Sequence, residues 1–300
     1  TLFRAVSHIK GKAIGAAVPG INLGILKSLP VALPPFPIQR RIASILSAYD
    51  DLIENNRKRI AILEDMARRL YREWFVRFRY PGHESVPLVD SPLGRIPQGW
   101  EVAKVGTTLT VLGGGTPSRT VDDYWKNGSV NWFTPSDLTA AKSMYLHDST
   151  EKISEAGLKN SSAKLFPAMS VMMTSRATIG VVAINANPAT TNQGFITVIP
   201  NDKVRLHYLY QWMLHNVPMF DLHASGATFK ELSRGAFKNF DILVPPQDIS
   251  VQFEVAVSPM GDLNNNLSQQ ISVLRRTRDL LLPRLMSGQL SVAAAEAAVP

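Results

Sequence analysis

Two long stretches of this chain carry apolar side chains at a helical period. In the first, Ile42, Leu46, Tyr49, Ile53, Asn56, Ile60, Leu63, Ala67, Leu70 and Trp74 recur at alternating intervals of four and three residues. In the second, Phe253, Val257, Met260, Asn264, Leu267, Ile271, Leu274, Arg278, Leu281 and Leu285 follow the same rule. Sustained 4-3 spacing is the seam of a coiled coil, where each knob faces a partner helix. About forty residues at ~1.5 Å each make a rod of roughly 60 Å, too long to hide in one small domain. The two seams are therefore expected to bury each other as an antiparallel pair. Asn56 and Asn264 interrupt the stripes, and a polar seam position commonly fixes register. Each helix follows a proline pair, Pro34-Pro35 and Pro245-Pro246, and proline ends a strand because it cannot donate to the ladder.

Between these helices the pattern shortens. "SVMMTSRATIGVVAINA" (170–186) and "QGFITVIP" (193–200) read as core strands, and "LHYLYQWMLHNV" (206–217) as a helix. The segment 78–99 is rich in Pro, Gly and Ser and reads as an extended linker. The expected fold class is α+β, a globular domain plus two long helices forming an antiparallel coiled coil. The expected divisions are 1–33 (the end of a globular domain), 34–77 (first long helix), 78–99 (linker), 100–246 (a complete globular domain), 247–288 (second long helix) and 289–300 (a flexible tail).

The chain also repeats itself at a gapless offset of 211 residues. Gly15-Ala16 matches Gly226-Ala227, Gly24 matches Gly235, and Lys27 matches Lys238. Pro34-Pro35, Asp51-Leu52, Ile60 and Leu63 match Pro245-Pro246, Asp262-Leu263, Ile271 and Leu274. One offset held over more than fifty residues implies duplicated architecture. On that offset a whole first domain would begin roughly a hundred residues upstream of Thr1.

Composition narrows the function. The net charge of +8 and pI near 9.7 favour an anionic partner, nucleic acid first and a membrane surface second. With no cysteine there are no disulfides or thiolate metal sites. No apolar run approaches the ~20 residues of a membrane span, and residues 1–15 do not resemble a signal peptide. A cytoplasmic location is expected.

Catalytic motifs are wanting. A base-flipping adenine methyltransferase needs an Asn/Asp-Pro-Pro-aromatic loop, and "NPAT" (187–190) and "LPPF" (33–36) each lack part of it. None of the thirteen lysines has an acid two residues before it, as a common metal-dependent nuclease would need. "GGGTPS" lacks the Gly-Lys-Ser/Thr ending of a phosphate loop. The six histidines show no paired ligand spacing.

The segments "LGRIPQGWEVAKVG" (93–106), "GGGTPSR" (113–119), "VNWFTPSDL" (130–138), "SVMMTSRATIG" (170–180), "TTNQGF" (190–195) and "SGATFKELSRGAFKNFDILVPP" (225–246), with a long helix on each side, resemble the specificity subunit of type I restriction-modification enzymes. The resemblance covers nearly the whole chain, with most of the first target recognition domain missing. It implies a non-catalytic subunit whose recognition domains read the halves of a split double-stranded DNA target. Its helices would set the spacing and dock modification (methyltransferase) and restriction (motor and nuclease) subunits. Those partners would carry S-adenosylmethionine, ATP and Mg; this chain itself would bind no cofactor and no metal.

Reading DNA takes cations for phosphates and amide, hydroxyl or guanidinium groups for base edges. The candidates are Thr116, Ser118 and Arg119 in the Gly-rich loop, Ser136 in "TPSDL", Arg176 with Asn192 and Gln193, and Lys230, Arg234 and Lys238. The glycines would let backbone approach DNA, although a plain Gly-rich turn with a surface Arg is equally open. Asn192 and Gln193 could instead satisfy backbone between strands. Lys230 and Arg234 differ from their repeat partners Pro19 and Leu23, which marks them as candidate readers or domain-specific phosphate contacts, whereas Lys238 recurs as Lys27 and looks like a scaffold or phosphate position. Arg57, Lys58, Arg59, Arg68, Arg69, Arg72, Arg77 and Arg79 make a basic face, either solvated or in contact with phosphates across the spacer. The competing readings are a protein–protein scaffold without a DNA role, and a fragment of a fused methyltransferase–nuclease.

Overall fold

The computed structural model describes residues 33–226 and 230–297, with Leu23 and Lys27 as isolated positions. The expectations for residues 1–32, including the first-copy glycines, lie otherwise outside the described residues. Contacts divide the chain into two units, residues 59–268 and the two flanking segments together. The first long helix, α1 (Phe36–Tyr71), contributes to both.

In the unit of residues 59–268, α1 ends in a π turn, Arg72–Val76. A straight helix was expected to residue 77. Tyr71, at the end of the α-helix, and Trp74 and Phe75, in the wider turn, are all buried in the core. Residues 78–99 depart from the expected extended linker. They contain an antiparallel hairpin of β1 (Leu88–Ser91) and β2 (Gly94–Pro97), turned at Gly94 with φ 90° and buried through Ile96.

The chain continues through β3 (Glu101–Lys104), α2 (Val105–Thr108), β4 (Thr110–Gly113), β5 (Val130–Phe133), α3 (Pro135–Ala141), β6 (Tyr145–Leu146), β7 (Glu151–Ile153) and α4 (Glu155–Lys159). Next come β8 (Val171–Thr174), β9 (Val182–Asn185), β10 (Ala189–Thr191), β11 (Phe195–Ile199), α5 (Leu206–Leu222), α6 (Arg234–Lys238) and β12 (Asp241–Val244). The strands and the helix expected between residues 170 and 217 correspond to β8, β9, β11 and α5. A five-stranded sheet has the order β4-β11-β8-β9-β6, antiparallel except where β6 runs parallel to β9. A three-stranded sheet has the order β10-β5-β7, and β12 pairs with β3.

Alternation along β8 divides the core between two faces. Val171 and Met173 join the larger cluster with Tyr208, Leu209, Trp74, Phe75 and Phe253, whereas Met172 joins Phe133, Leu138 and Phe166. The second long helix, α7 (Gln247–Met286), enters here. Its Phe253 is fully buried, with ring centroids 4.8 Å from Phe75 and 5.7 Å from Trp74. His207 of α5 is buried between Glu254 of α7, which meets its Nδ1 at 2.7 Å, and the Tyr145 hydroxyl at Nε2. Asn264 donates to Glu64 at 3.1 Å. Burial pushes the Glu64 carboxyl up, and the bond from Asn264 and the charge of Arg68 oppose it.

In the other unit, Ile42, Ile45 and Tyr49 of α1 pack with Leu285 of α7. Asn56 donates to Gln270 at 3.2 Å, and Arg278 pairs with Asp50. Within the tail expected to be flexible over 289–300, the described residues, which end at 297, include α8 (Val292–Glu296), capped by Ser291. Ala295 is buried in the same cluster, and Glu296 pairs with Arg41, contacts too distant in sequence to read locally. Among the seam positions, Ile42, Ile53, Val257, Leu267 and Ile271 are buried, while Leu46, Ile60, Leu63, Leu70, Leu274 and Leu281 are half-buried. No helix among the described residues is long and apolar enough to cross a membrane.

Candidate nucleic-acid interface

The candidate loops come from sequence positions up to 121 residues apart (113 to 234), and backbone hydrogen bonds bring them to one rim of the five-stranded sheet. Gly115 N donates to Thr191 O at 2.9 Å and Asn192 N to Phe133 O at 3.0 Å. Ser175 N donates to Gly194 O, Ala177 N to Lys230 O and Leu232 N to Ser175 O, all at 2.8–2.9 Å. The rim therefore joins the loops around 113–119, 134–137, 175–178, 192–194 and 230–234.

The glycines of the first loop work differently from expectation. A Cβ on Gly114 would collide with the carbonyls of Thr191 and Asn192, and one on Gly115 with Ser162. They face the chain's own backbone and the Thr191 and Ser162 hydroxyls, so they weld β4 to its neighbours and do not open the backbone to a ligand. Gly113 does make room for a side chain, because Arg234 Nη1 lies 3.1 Å from where its Cβ would stand.

The tip residues are exposed, but most are already engaged. Thr116 Oγ1 donates to Gln193 Oε1 at 2.6 Å, the Gln193 amide N–H groups make no hydrogen bond among the described residues, and Ser118 meets Thr120. Arg119 pairs with Glu151, and its guanidinium carbon stands 3.6 Å from the Trp125 ring centroid. That bond holds the Glu151 carboxyl below its usual range. Asn192 Oδ1 accepts from Gly194 N at 2.9 Å, so the reading in which Asn192 satisfies local backbone describes its oxygen. Arg176 pairs with Glu231, and Lys230 with Asp221 at 3.1 Å. Arg234 has no ion-pair partner among the described residues, and the Lys238 stem lies against Gly106.

Ser136 is exposed in the first turn of α3, whose start is clamped by Asp137. The Asp137 carboxylate accepts from the backbone N–H and hydroxyl of both Thr134 and Thr150, at 2.6–3.0 Å. Burial pushes this carboxyl up, but the four bonds outweigh it and hold it below its usual value.

Reasoning from sequence singled out the rim's hydroxyls, amides and cations and missed the acids that hold them, Glu151, Glu231 and Asp221, together with Asp137. Glu231 could have been found, since it directly follows Lys230. Glu151 could not, because only the fold brings it to Arg119. On the basic face, Arg57, Arg69, Arg77 and Arg79 pair with neighbouring acids on their own segment, whereas Lys58, Arg59, Arg68 and Arg72 make no ion pair among the described residues.

Comparison with known proteins bears on what such a rim does. A family model described as "Type I restriction modification DNA specificity domain" matches residues 1–65 and 97–272. The Type I restriction enzyme MjaIX specificity subunit of Methanocaldococcus jannaschii is 34% identical over 206 residues, covering 68% of this chain and 46% of that protein. The HindI specificity subunit of Haemophilus influenzae is 23% identical, covering 91% of this chain and 71% of its own. A crystal structure of a type I restriction-modification S subunit from M. genitalium superposes with a TM-score of 0.54 at 16% identity, over 95% of this chain and 70% of that one. At that identity the superposition speaks for the fold alone. The chain thus spans less than half the length of the MjaIX subunit.

Proposed function

Because this chain belongs to the type I restriction modification DNA specificity domain family, we propose that it is a non-catalytic, sequence-reading subunit of a type I restriction-modification complex. Its globular domain, residues 100–246, reads one part of a split duplex DNA target through the rim. Residues 1–33 would be the end of a first recognition domain, a reading that the 211-residue repeat supports. The long helices form an antiparallel coiled coil that spaces the two readers. Supporting that pairing, Asp50 meets Arg278 and Asn56 meets Gln270 in one unit, and Glu64 meets Asn264 and Trp74 meets Phe253 in the other. Methyltransferase subunits carrying S-adenosylmethionine, and motor–nuclease subunits using ATP and Mg, dock on this frame.

The observation that carries the reading is the convergence of five loops from separate parts of the sequence into one donor-rich rim, in a chain of net charge +8. A structural role alone would not require Arg234, Gln193 and Ser136 to stand exposed on the same edge. Salt-titrated binding to mixed duplexes, with the modification subunits present, tests it. Phosphate contacts make log K fall with log salt by ~0.9 per contact. Arg234→Ala should flatten that slope by about one unit if it holds a phosphate, or change site choice if it reads a base. Complete absence of duplex binding by the assembled wild-type complex would favour the scaffold reading instead.

A further inference from the structure

Two of the rim's three exposed arginines, Arg119 and Arg176, are each paired with a glutamate, but through different edges of the guanidinium. Arg119 meets Glu151 end-on, Nη1 donating to Oε1 at 2.5 Å and Nη2 to Oε2 at 2.7 Å. One of its faces is also covered, with the Trp125 centroid at 3.6 Å and that of Trp132 at 5.0 Å. Its fork is spent. Arg176 meets Glu231 side-on, Nε donating to Oε2 at 3.1 Å and Nη2 to Oε1 and Oε2 at 3.0 and 2.9 Å. Nη1 makes no hydrogen bond among the described residues, so the terminal Nη1–Nη2 edge stays open.

We propose that Arg176 reads a guanine of the DNA target through that open edge, that Glu231 is its positioning residue, and that Arg119 is a structural clamp which reads no base. This rests on the DNA-recognition reading above. Guanine follows from two arguments. Its major-groove edge offers two acceptors, O6 and N7, side by side, and two parallel N–H donors in a fixed plane match them. A phosphate would also accept two bonds, but Glu231 places a negative charge beside the fork and cancels the attraction that makes a phosphate contact favourable. A neutral base edge suffers no such repulsion. The fork is also held from behind. The main chain on either side of Arg176 is tied to Gly194, Lys230 and Leu232, and Ala177 sits at φ 61°, so neither Cα nor the guanidinium plane is free to swing.

The experiment uses the whole protein assembled with its modification subunits. Methylation-site sequencing first defines the target. Duplexes in which each target guanine is replaced in turn by 7-deazaguanine, which lacks the N7 acceptor, are then titrated against wild type, Arg176→Lys, Glu231→Gln and Arg119→Lys. One guanine should couple: its replacement weakens wild type about tenfold and leaves Arg176→Lys nearly unaffected, because lysine cannot offer the planar fork. Glu231→Gln should lower discrimination at that same position while melting like wild type, since exposed ion pairs contribute little stability. Arg119→Lys should leave every base preference unchanged. Duplex binding with no guanine coupled to Arg176, or Arg176→Ala lowering the salt slope by about one with base preference intact, would overturn the assignment and leave DNA recognition standing. A wild-type complex that bound no duplex would overturn both.

Discussion

Asp137→Asn tests the clamp that sets the Ser136 loop. In the native chain Oδ2 accepts from the N–H and hydroxyl of Thr134, and Oδ1 from the N–H and hydroxyl of Thr150. Asparagine keeps one oxygen and turns an NH2 group toward the other pair, so two of the four donors lose their acceptor. An unpaired buried donor costs about 1–3 kcal/mol, and the half-exposed position calls for the lower end, about 2 kcal/mol in all. In a unit of this size that corresponds to roughly 4–8 °C in Tm. The pH dependence separates this account from simple loss of packing. Asp137 is held below its ordinary value in the folded state, so its charge contributes stability above the unfolded pKa of about 3.9. That stability is lost as pH falls through the lower folded value. The variant carries no such group, so its deficit at pH 7 should narrow as melts are repeated toward pH 3. A variant within ~0.5 kcal/mol of wild type at pH 7, against the cost expected for a lost cap, would refute the reasoning. So would a deficit that stayed constant down to pH 3.

Two further outcomes rest on the core. Phe253→Ala removes a fully buried ring that meets Trp74 and Phe75 and should cost about 3–5 kcal/mol, read as a lowered urea midpoint, whereas Phe253→Leu should cost well under half of that. Glu64 is raised by burial, so the stability it allows is fully present below its unfolded pKa and is lost as pH rises through the folded value. Glu64→Gln should therefore gain on wild type between pH 4 and pH 7 in urea titrations, and an unchanged difference would argue against burial as the cause.

The parts of this molecule that a sequence reader can see are those governed by local period. The 4-3 stripes are legible because every turn of a seam presents the same face, and each of their named positions is buried or half-buried. The strands β8 and β11 are legible because "VMMT" and "FITV" are buried on both faces and so unbroken by charge. The hairpin of β1 and β2 was misread because its Gly-containing turn and flanking prolines have the composition of a linker. The docking of α8 was invisible because Arg41 and Glu296 are 255 residues apart.

At the rim the same limit holds more sharply. Residue type identified which side chains could donate, but which edge of each guanidinium remains open depends on where Glu151 and Glu231 come to lie. Both arginines look alike as letters, and only the tether distinguishes them.

Gly114 and Gly115, pressed against Thr191, Asn192 and Ser162, carry a consequence for how the proposed reader changes. Apart from the Thr191 and Ser162 hydroxyls the joint is main chain, so it does not depend on which residues stand at the loop tips. Thr116, Ser118, Gln193 and Ser136 project beyond it, and exchanging them would not disturb the weld. In the DNA-reading role proposed above, a lineage under pressure to recognise a new target could thus redraft its vocabulary at the tips while inheriting the foundation intact.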